Sequence, residues 1–335
     1  MNVLAGDIGG TKTNLGIFAV NNQQVSSIVE ATYISASYHS LAEIITDFLG
    51  QLKINKQKAP VTIACFGVAG PVKNNHCEVS NLPWIIDALQ IKKQFGWQAV
   101  NLLNDLEANA RGIAALDEDD FITLNEGALK SSGNASIIAA GTGLGEAGLF
   151  WDGSRHIPFA SEGGHTDFSP ATEQEYRLHQ FLSIKYNGHV SWERIVSGRG
   201  LENLYQFLCY EAQCQPPAWL QQQMQSGDIA AAISNAAQTG KDKLCQQALD
   251  WFIHLYGVEA GNHALKIMSR GGVYLGGGIA PKIIEQLQSG TFMQAFCDKG
   301  RMRHLLEAMP VKVIMNDKTA LYGPALFSNK SALSH

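Results

Sequence analysis

Several kinds of segment are missing from this chain of 335 residues. It has no run of Lys and Arg and no basic stripe, and its net charge is −5, so we expect no nucleic-acid partner. No apolar run reaches the ~20 residues that a membrane-spanning helix needs, and we therefore expect no membrane association. The N-terminus lacks the basic region and apolar core of a signal peptide, which predicts a cytoplasmic location.

Cysteine is used sparingly and without pattern. The six cysteines are scattered and form no Cys-x-x-Cys pair, which argues against a zinc site and predicts reduced thiols. Glycine, by contrast, is plentiful: there are 33, and many are clustered. Clustered glycines mark tight turns or places where the backbone approaches a ligand closely. The length favours two domains of ordinary size.

The same local plan, a strand, a Gly-rich turn and a second strand, occurs twice. The first copy spans residues 3–18 and the second spans 136–150, and their exits are similar (Leu-Gly-Ile-Phe and Ala-Gly-Leu-Phe). This repetition predicts a duplicated domain, with each copy offering a turn to a shared cleft, because ligands favour domain interfaces.

Other segments alternate between strand and helix patterns. Buried strands are predicted at 61–66, 100–103, 273–275 and 311–315, and capping boxes predict helices that begin after Ser40 and Thr172. A long helix over 244–268 is expected to break near Gly257 or Gly261. The Gln-, Ala- and Ser-rich segment 216–240 is expected to be exposed.

The first turn has the composition of a phosphate site. It reads Gly6-Asp7-Ile8-Gly9-Gly10-Thr11-Lys12, and its Gly pair leaves backbone N–H groups free to point at one anion. A carboxylate such as Asp7 beside phosphates makes sense if it holds Mg²⁺, directly or through water. The Gly-Lys-Ser/Thr order of a Walker P-loop is absent. An ordinary hairpin turn explains this segment equally well on its own.

Two further Gly-rich turns fit a nucleotide. Gly141-Thr142-Gly143 leads into a strand rather than a helix, so it departs from the dinucleotide fingerprint and fits a phosphate-facing hairpin better. The turn that contains Gly277 and Gly278 follows a strand, and three successive glycines make a flat surface for a base or a ribose. A tight strand-to-helix turn explains the second segment equally well in isolation.

Asn104 and Asp105 come directly after a predicted strand. Functional side chains of α/β sheets collect at the carboxyl ends of strands, and a carboxylate there can accept the proton of a hydroxyl that attacks phosphorus. Asn104 can donate to and accept from a sugar hydroxyl. Without the phosphate turns, a helix N-cap would be the simpler interpretation.

A third group of polar side chains suits a sugar. Glu162 and His165 flank a Gly pair and together supply donors and acceptors for hydroxyl groups. With Asp167 they could also ligate a metal, although no further His completes a usual zinc set. Glu193 is either another hydroxyl acceptor or a surface residue paired with Arg194.

Taken in order, these motifs resemble the bacterial glucokinase family of the hexokinase and actin-like ATPase superfamily. The resemblance covers nearly the whole chain and is carried by the three Gly-rich turns, Asn104-Asp105, Glu162-Gly163-Gly164-His165, and Val196-Ser197-Gly198-x-Gly200-Leu201. It implies a two-domain α/β fold of the actin-like ATPase (ribonuclease H-like) type with a cleft between the domains. The implied domains are a small one, 1–110 plus 311–335, and a large one, 111–310.

The resemblance also implies an activity and its residues. Members transfer the γ-phosphoryl of MgATP to the 6-hydroxyl of glucose, a step that opens glycolysis, and are commonly cytoplasmic homodimers. The implied base is Asp105, and the implied sugar ligands are Asn81, Asn104, Asp105, Glu162, His165 and Glu193. The implied nucleotide ligands are Gly6 to Lys12, Gly141 to Gly143, Gly277 and Gly278, with Mg²⁺ at Asp7.

The first turn departs from better-known members, which have Asn and Arg where this chain has Lys12 and Asn14. A Lys at the position of Lys12 resembles the pattern of the related ROK sugar kinases. The Cys-rich zinc signature of those proteins is absent here. Alternatives are a kinase for another hexose or an N-acetylhexosamine, a donor such as polyphosphate, and a non-catalytic sugar sensor. Sensors on this fold usually carry an N-terminal helix-turn-helix, and the first predicted strand begins at residue 3.

Overall fold

The computed structural model describes residues 1–21, 24–54, 60–79, 82–129 and 131–333. The chain folds as two compact units. Unit 1 comprises residues 1–120, 158–160 and 316–335, and unit 2 comprises residues 121–157 and 161–315. The domain limits implied by the resemblance stay a prediction.

Unit 1 opens with a three-stranded meander. Its elements up to residue 112 are β1 (Asn2–Ile8), β2 (Lys12–Asn21), β3 (Gln24–Ile34), α1 (Leu41–Ile54), β4 (Ile63–Val68), β5 (Val72–Lys73), β6 (His76–Glu78), β7 (Ile85–Asp87), α2 (Ala88–Phe95), β8 (Ala99–Asn104) and α3 (Asp105–Gly112).

Unit 2 holds the longest helix. Its elements are β9 (Phe121–Asn125), β10 (Ala135–Ala140), β11 (Leu144–Trp151), the start of β12 (His156–Ala160), whose last three residues are assigned to unit 1, α4 (Glu173–Lys185), α5 (Gly198–Glu211), α6 (Ala218–Ser226), α7 (Ile229–Gln238), α8 (Lys243–Ile267), β13 (Gly272–Gly276), α9 (Ile284–Leu287), α10 (Thr291–Cys297), α11 (Arg303–Glu307) and β14 (Val311–Ile314). The last helix, α12 (Thr319–Leu333), belongs to unit 1.

The two main sheets share one strand plan. The order is β3-β2-β1-β4-β8 in the five-stranded sheet and β12-β11-β10-β13-β14-β9 in the six-stranded sheet. In each, an antiparallel hairpin (β1–β2 or β10–β11) is followed by a parallel neighbour of its first strand (β4 or β13). The repeated motif of the sequence therefore corresponds to a repeated topology, as the duplication hypothesis predicts.

Helices cover both faces of the first sheet. On one face, Ile44, Ile45 and Phe48 of α1 pack into a core with alternate residues of β1 and β2. On the other face, Leu321 and Ala325 of α12 pack on the remaining alternate residues. Because side chains alternate along a strand, burial on both faces explains the near-continuous apolar run of β1.

One sequence expectation about helices is wrong and a second is confirmed only in part. Helix α8 runs unbroken through Gly257 and Gly261. A Cβ at either position would overlap the backbone of α10, at Phe292 or Phe296, so glycine lets the two helices pack closely. These glycines serve close helix packing rather than a break. The segment 216–240, expected to be exposed, forms α6 and α7, and many of its residues are exposed, but α7 buries Ile233, Ala236 and Ala237 against the core.

None of the helices in the described part of the chain combines the length and apolar character that a membrane crossing requires.

Candidate active site

The first Gly-rich turn joins β1 to β2 and is held from below by Ser35. The N–H of Gly9 donates to the carbonyl of Lys12 (3.0 Å), which closes the turn. The Ser35 hydroxyl donates to the carbonyl of Gly9 (2.8 Å), and its N–H donates to that of Thr11 (3.1 Å). Thr11 and Lys12 are exposed at this turn, while Gly6 and Ile8 lie inside β1 and are buried.

Asp7 lies one residue before the end of β1 and is half-buried. The Asn14 amide donates to its carboxylate (3.3 Å), and Thr32 donates in turn to Asn14 (2.8 Å). Burial raises the pKa of the Asp7 carboxyl above its ordinary value, and the Asn14 hydrogen bond offsets part of that effect. Asn14, where better-known members have Arg, thus supports Asp7 directly.

Asn104 and Asp105 lie at the same sheet edge as Asp7. Asp7 is level with Gly67 of β4, and the next residue of β4, Val68, is level with Asn104 at the end of β8. Two strand spacings of about 4.8 Å separate β1 from β8, so roughly 10 Å separates the two strand ends. A Cβ on Gly67 would touch Ala108 of α3, so this glycine lets α3 begin close to the sheet.

The Asn104 side chain is the N-cap of α3. Its oxygen accepts from the N–H of Leu106 (3.0 Å), and its amide donates to the carbonyl of Gly70 (3.2 Å). Asp105 is the first residue of α3, and its carboxylate accepts from the N–H of Leu106 (2.8 Å). The partial positive charge of a helix N-terminus stabilises a carboxylate at this place. The capping role and a sugar-binding role of Asn104 are compatible, because the second amide hydrogen remains to donate.

The second Gly-rich turn occupies the equivalent place in unit 2. The N–H of Gly141 donates to the carbonyl of Gly143 (2.8 Å), and the N–H of Gly198 donates to that of Gly141 (2.8 Å). The turn at Gly277 is adjacent, since β13 pairs with β10. Gly277 has a φ of +80°, and a Cβ there would overlap the carbonyl of Ala140. Only glycine fits this approach of the two turns.

A cavity of about 800 Å³ opens beside these two turns. It is lined by Gly141, Thr142 and Gly278 of the predicted nucleotide residues. Most of the other lining residues lie on α5 and α7 or at the N-cap of α7, including Arg199, Glu202, Asp228 and Asn235. Lys282, which follows β13, also lines the cavity. This volume lies within the range of about 300–1,000 Å³ that ligand pockets occupy.

Glu162 and His165 are exposed on a short 3-10 turn over Gly163–His165. The His165 ring nitrogen lies 3.9 Å from the Glu162 carboxylate. His189 braces this turn, with one ring nitrogen 3.1 Å from Asp167 and the other 3.1 Å from the carbonyl of His165. The side chains of Glu162 and His165 therefore stay available on a turn that their neighbours hold.

Glu193 contacts the second Gly-rich turn rather than Arg194. Its Oε2 accepts from the N–H of Leu144 (3.1 Å), and a Cβ on Gly143 would overlap the same oxygen. The carbonyl of Leu144 in turn packs on Gly164, where a Cβ would also overlap. Contacts through Leu144 thus connect Glu193, the second Gly-rich turn and the turn that carries Glu162.

Sequence reasoning located some site residues and missed others. Asn81 lies outside the described residues. The side chains of Arg199, Asp228, Asn235 and Lys282 went unnoticed as cavity residues, since nothing in their local pattern indicates a ligand. A signal existed for Gly198, because the Ser197-Gly198-x-Gly200 motif forms the capped start of α5, where the Ser197 hydroxyl accepts from the N–H of Gly200 (3.0 Å).

A magnesium ion fits the Asp7 carboxylate. Within the described ranges, no group of three or more His, Cys, Asp and Glu side chains is arranged to hold a metal. Mg²⁺ usually needs only one or two carboxylates, with waters and substrate phosphates as its other ligands. A half-buried carboxylate whose pKa burial raises gains from a nearby cation, and the first Gly-rich turn, which the sequence predicts to bind phosphates, adjoins it.

Comparisons with known proteins identify the family and the fold. The Glucokinase family model matches residues 4–331. The chain is 39% identical over 350 residues to a glucokinase of Synechocystis sp., with 99% of each covered. It is 41% identical over 337 residues to one of Nostoc sp., with 97% of this chain and 98% of that one covered. It is also similar to the crystal structure of a glucokinase from an Antarctic psychrotroph (TM-score 0.83, 28% identity, 98% and 99% covered).

Proposed function

Because the chain belongs to the glucokinase family, we propose that it transfers the γ-phosphoryl of MgATP to the 6-hydroxyl of glucose, giving glucose 6-phosphate and ADP. The similarity to the glucokinase structure also confirms the predicted actin-like ATPase fold. One observation supports the assignment of roles: Asp7, at the end of β1, and Asn104, which directly precedes Asp105, lie at one edge of the first sheet.

Asp105 acts as the general base. The sugar oxygen attacks the γ-phosphorus in line, its proton passes to the Asp105 carboxylate, and the bond from phosphorus to the β-phosphate oxygen breaks as ADP leaves. The N-terminal position in α3 keeps this carboxylate ready to accept the proton. Most of the acceleration comes from positioning and charge stabilisation, because phosphoryl transfer needs little covalent chemistry from the protein.

The Gly-rich turns hold the phosphates and the cavity holds the adenosine. The N–H groups of Gly9 and Gly141 close their own turns, so the backbone N–H groups of Gly10 and Thr11 and of Thr142 and Gly143 are the proposed phosphate donors. Asp7 holds Mg²⁺, directly or through water. When bound, Mg²⁺ supplies positive charge that offsets the charge on the phosphates. The cavity beside Gly141 and Gly278 has the size that the nucleoside requires.

The sugar is held by side chains from several segments. Glu162 and His165 offer an acceptor and a donor on their braced turn. Asn104 offers an amide hydrogen, and Glu193 and Asn81 complete the proposed set. Glu162→Gln should mainly raise the KM for glucose, and an unchanged KM would count against its place in this set.

Replacing Asp105 by Asn tests the proposed base. The substitution keeps shape and removes the proton acceptor, so kcat should fall by at least about 100-fold while glucose still binds. Glu107→Gln on the same helix is the matched control, since Glu107 pairs with Arg111 (2.8 Å) and should leave kcat near the parent value. Near-normal turnover of Asp105→Asn would remove Asp105 from this role.

A coupled assay over a panel of hexoses, N-acetylhexosamines and donors, including polyphosphate, tests the substrates. Glucose with ATP should give the highest kcat/KM. A homodimer in the cytoplasm that feeds glycolysis is part of the proposal, supported by the family resemblance. Light scattering on the purified protein checks the oligomeric state.

A further inference from the structure

A buried charged cluster lies beneath the turn that carries Glu162 and His165. Glu146 follows the second Gly-rich turn on β11, and its side chain is 1% exposed. It meets His263 of α8, whose side chain is 3% exposed. Glu259, one helical turn earlier on α8, is fully buried. Buried charged groups are costly and need partners, so a cluster of three calls for an explanation.

The hydrogen bonds of His263 fix how it meets Glu146. Its Nε2 lies 3.1 Å from the carbonyl of Ala147, which can only accept, so Nε2 carries a hydrogen. Its Nδ1 lies 3.2 Å from Oε2 of Glu146. A proton must therefore lie between Nδ1 and Oε2, whichever of the two groups holds it. The pair locks the imidazole and the carboxyl in one orientation.

Glu259 completes the cluster from α8. Its Oε2 accepts from the Asn262 amide (2.9 Å), and its Oε1 lies 3.6 Å from the Lys266 ammonium. Burial, and after it the nearby Glu146, raises the pKa of Glu259 to about 7. The charged or titratable groups that face Glu146 or Glu259 are His263, Tyr256, Lys266 and Lys299.

Glu146 also supports the turn that carries Glu162 and His165. A Cβ on Gly163 would overlap Oε2 of Glu146, so this residue must be glycine for the turn to rest on the carboxyl. The Ser161 hydroxyl donates to the backbone carbonyl of Glu146 (2.8 Å) and accepts from the N–H of Gly163 (3.3 Å). Both the side chain and the backbone of Glu146 therefore set the height and direction of the turn.

We propose that Glu146, held by His263, is a positioning residue of the sugar site that presents Glu162 and His165 from below. This inference rests on the proposed function, because it matters for catalysis only if these two side chains bind the sugar. Glu146 itself does not touch the sugar. Its loss should weaken glucose binding through the turn and leave nucleotide binding unchanged.

Glu146→Gln is the direct test, since it keeps size and removes the carboxylate. We expect the KM for glucose to rise about tenfold while the KM for ATP stays within about twofold, a binding difference typical of coupled neighbours. In a double-mutant cycle with Glu162→Gln, the two effects on glucose binding should be clearly less than additive. Glu175→Gln is the control: it changes another buried glutamate of unit 2, in the capping box of α4, and should leave the KM for glucose unchanged.

Amide hydrogen exchange separates this inference from the proposed function. Glu146→Gln should speed exchange over residues 161–166, whatever the turn binds. If Glu162→Gln leaves glucose binding intact, the turn does not bind the sugar. Faster exchange in Glu146→Gln would then still support the inference that Glu146 positions the turn. Unchanged exchange together with an unchanged KM for glucose would overturn the inference and leave an ordinary core pair. Should Glu146→Gln not fold, His263→Gln removes the imidazole partner and is judged by the same two measurements.

Discussion

The Asp7 carboxylate is half-buried, and it accepts a hydrogen bond from the Asn14 amide. The Asn14 hydrogen bond lowers a pKa that burial has raised, so the two effects oppose each other at one atom. Any change that removes the amide shifts the balance toward the protonated acid. A protonated Asp7 cannot hold a cation, which links this hydrogen bond to magnesium use in the proposed reaction.

Asn14→Ala should therefore raise the pKa of Asp7 further and move the acid limb of the kcat/KM profile for MgATP to higher pH. The measurement is initial rate against pH at several Mg²⁺ concentrations. Thr32→Val, which removes only the bond from Thr32 to Asn14 (2.8 Å), should shift the limb less in the same direction. An acid limb identical to that of the parent protein would show that Asp7 does not control it.

Glu259 makes stability depend on pH in the opposite sense from a carboxylate whose pKa is lowered on folding, because burial outweighs its ion pair with Lys266. Its pKa rises from 4.5 to about 7 on folding, so the folded state keeps a proton that the unfolded chain releases. Its contribution is fully present below pH 4.5 and is lost as the pH rises through about 7. Glu259→Gln should flatten the fall in the free energy of unfolding across that window, measured by urea denaturation at successive pH values.

The control for that titration is Glu162→Gln at an exposed carboxylate, which should keep the slope of the parent protein. If Glu259→Gln shows the parent slope as well, another group causes the pH dependence.

Single residues show where sequence reasoning ends. Asn104 was assigned either a cap or a sugar ligand, and its position at the end of a strand and start of a helix allows both. Glu146 gave no signal, because one charged residue inside an apolar strand pattern has no meaning until its partner is known. His263 lies far along the chain, and only tertiary structure brings it to Glu146.

At the scale of elements, close helix contacts position the proposed base. Helices α3 and α12 pack so tightly that a Cβ on Gly323 would overlap the carbonyl of Ala108, and one on Gly112 would overlap that of Thr319. Asp105 is the first residue of α3. A displacement of α3 by α12 therefore reaches the residue on which the proposed chemistry depends.

Gly323→Ala should lower both Tm and kcat, because the added methyl group forces α12 away from α3, and overpacking of this kind costs typically about 1–3 kcal/mol. Gly50→Ala on α1 is the matched control, since nothing lies within 4 Å of its Cβ position. It should raise stability slightly, because Ala favours a helix interior by roughly 0.5–1 kcal/mol over Gly. A Gly323→Ala protein as stable and active as Gly50→Ala would refute the tight packing.

Most elements were predictable because their apolar periodicity is clean. Strands β1, β4, β8, β10 and β13 and the capping box of α4 lie where the pattern indicates, within a few residues. At the start of α1 only half of the predicted box forms: Ser40 accepts from the N–H of Glu43 (3.3 Å), but the Glu43 side chain accepts from the N–H of His39 (2.8 Å). The errors share a cause. The glycines of α8 predict a break that does not occur, and the polar composition of 216–240 predicts exposure where α7 buries one face. In both cases a neighbour on the far side decides the outcome, and local sequence does not report that neighbour.

The molecule repeats one strand order in its two main sheets. The proposed functional residues differ between the two copies. The β14 strand illustrates the limit of sequence here: its pattern predicts a strand, yet only pairing with β13 and β9 assigns it to the six-stranded sheet. In the proposed reaction, unit 1 contributes Asp105 and the turn at Asp7, and unit 2 contributes the cavity and Glu162.

This division of labour predicts how water is kept from reacting. Water can attack the γ-phosphorus as a hydroxyl can, but without sugar the proposed sugar ligands, such as Asn104 and Glu162, have no hydroxyl groups to bind and the site stays incomplete. ATP hydrolysis without glucose should therefore be orders of magnitude slower than glucose phosphorylation, measured as ADP release in both conditions. Asp105→Asn is the control for contaminating ATPase, since it should lose the sugar-dependent rate and keep any contaminant. A sugar-independent rate that is large in the parent protein and absent from Asp105→Asn would contradict assembly by the sugar.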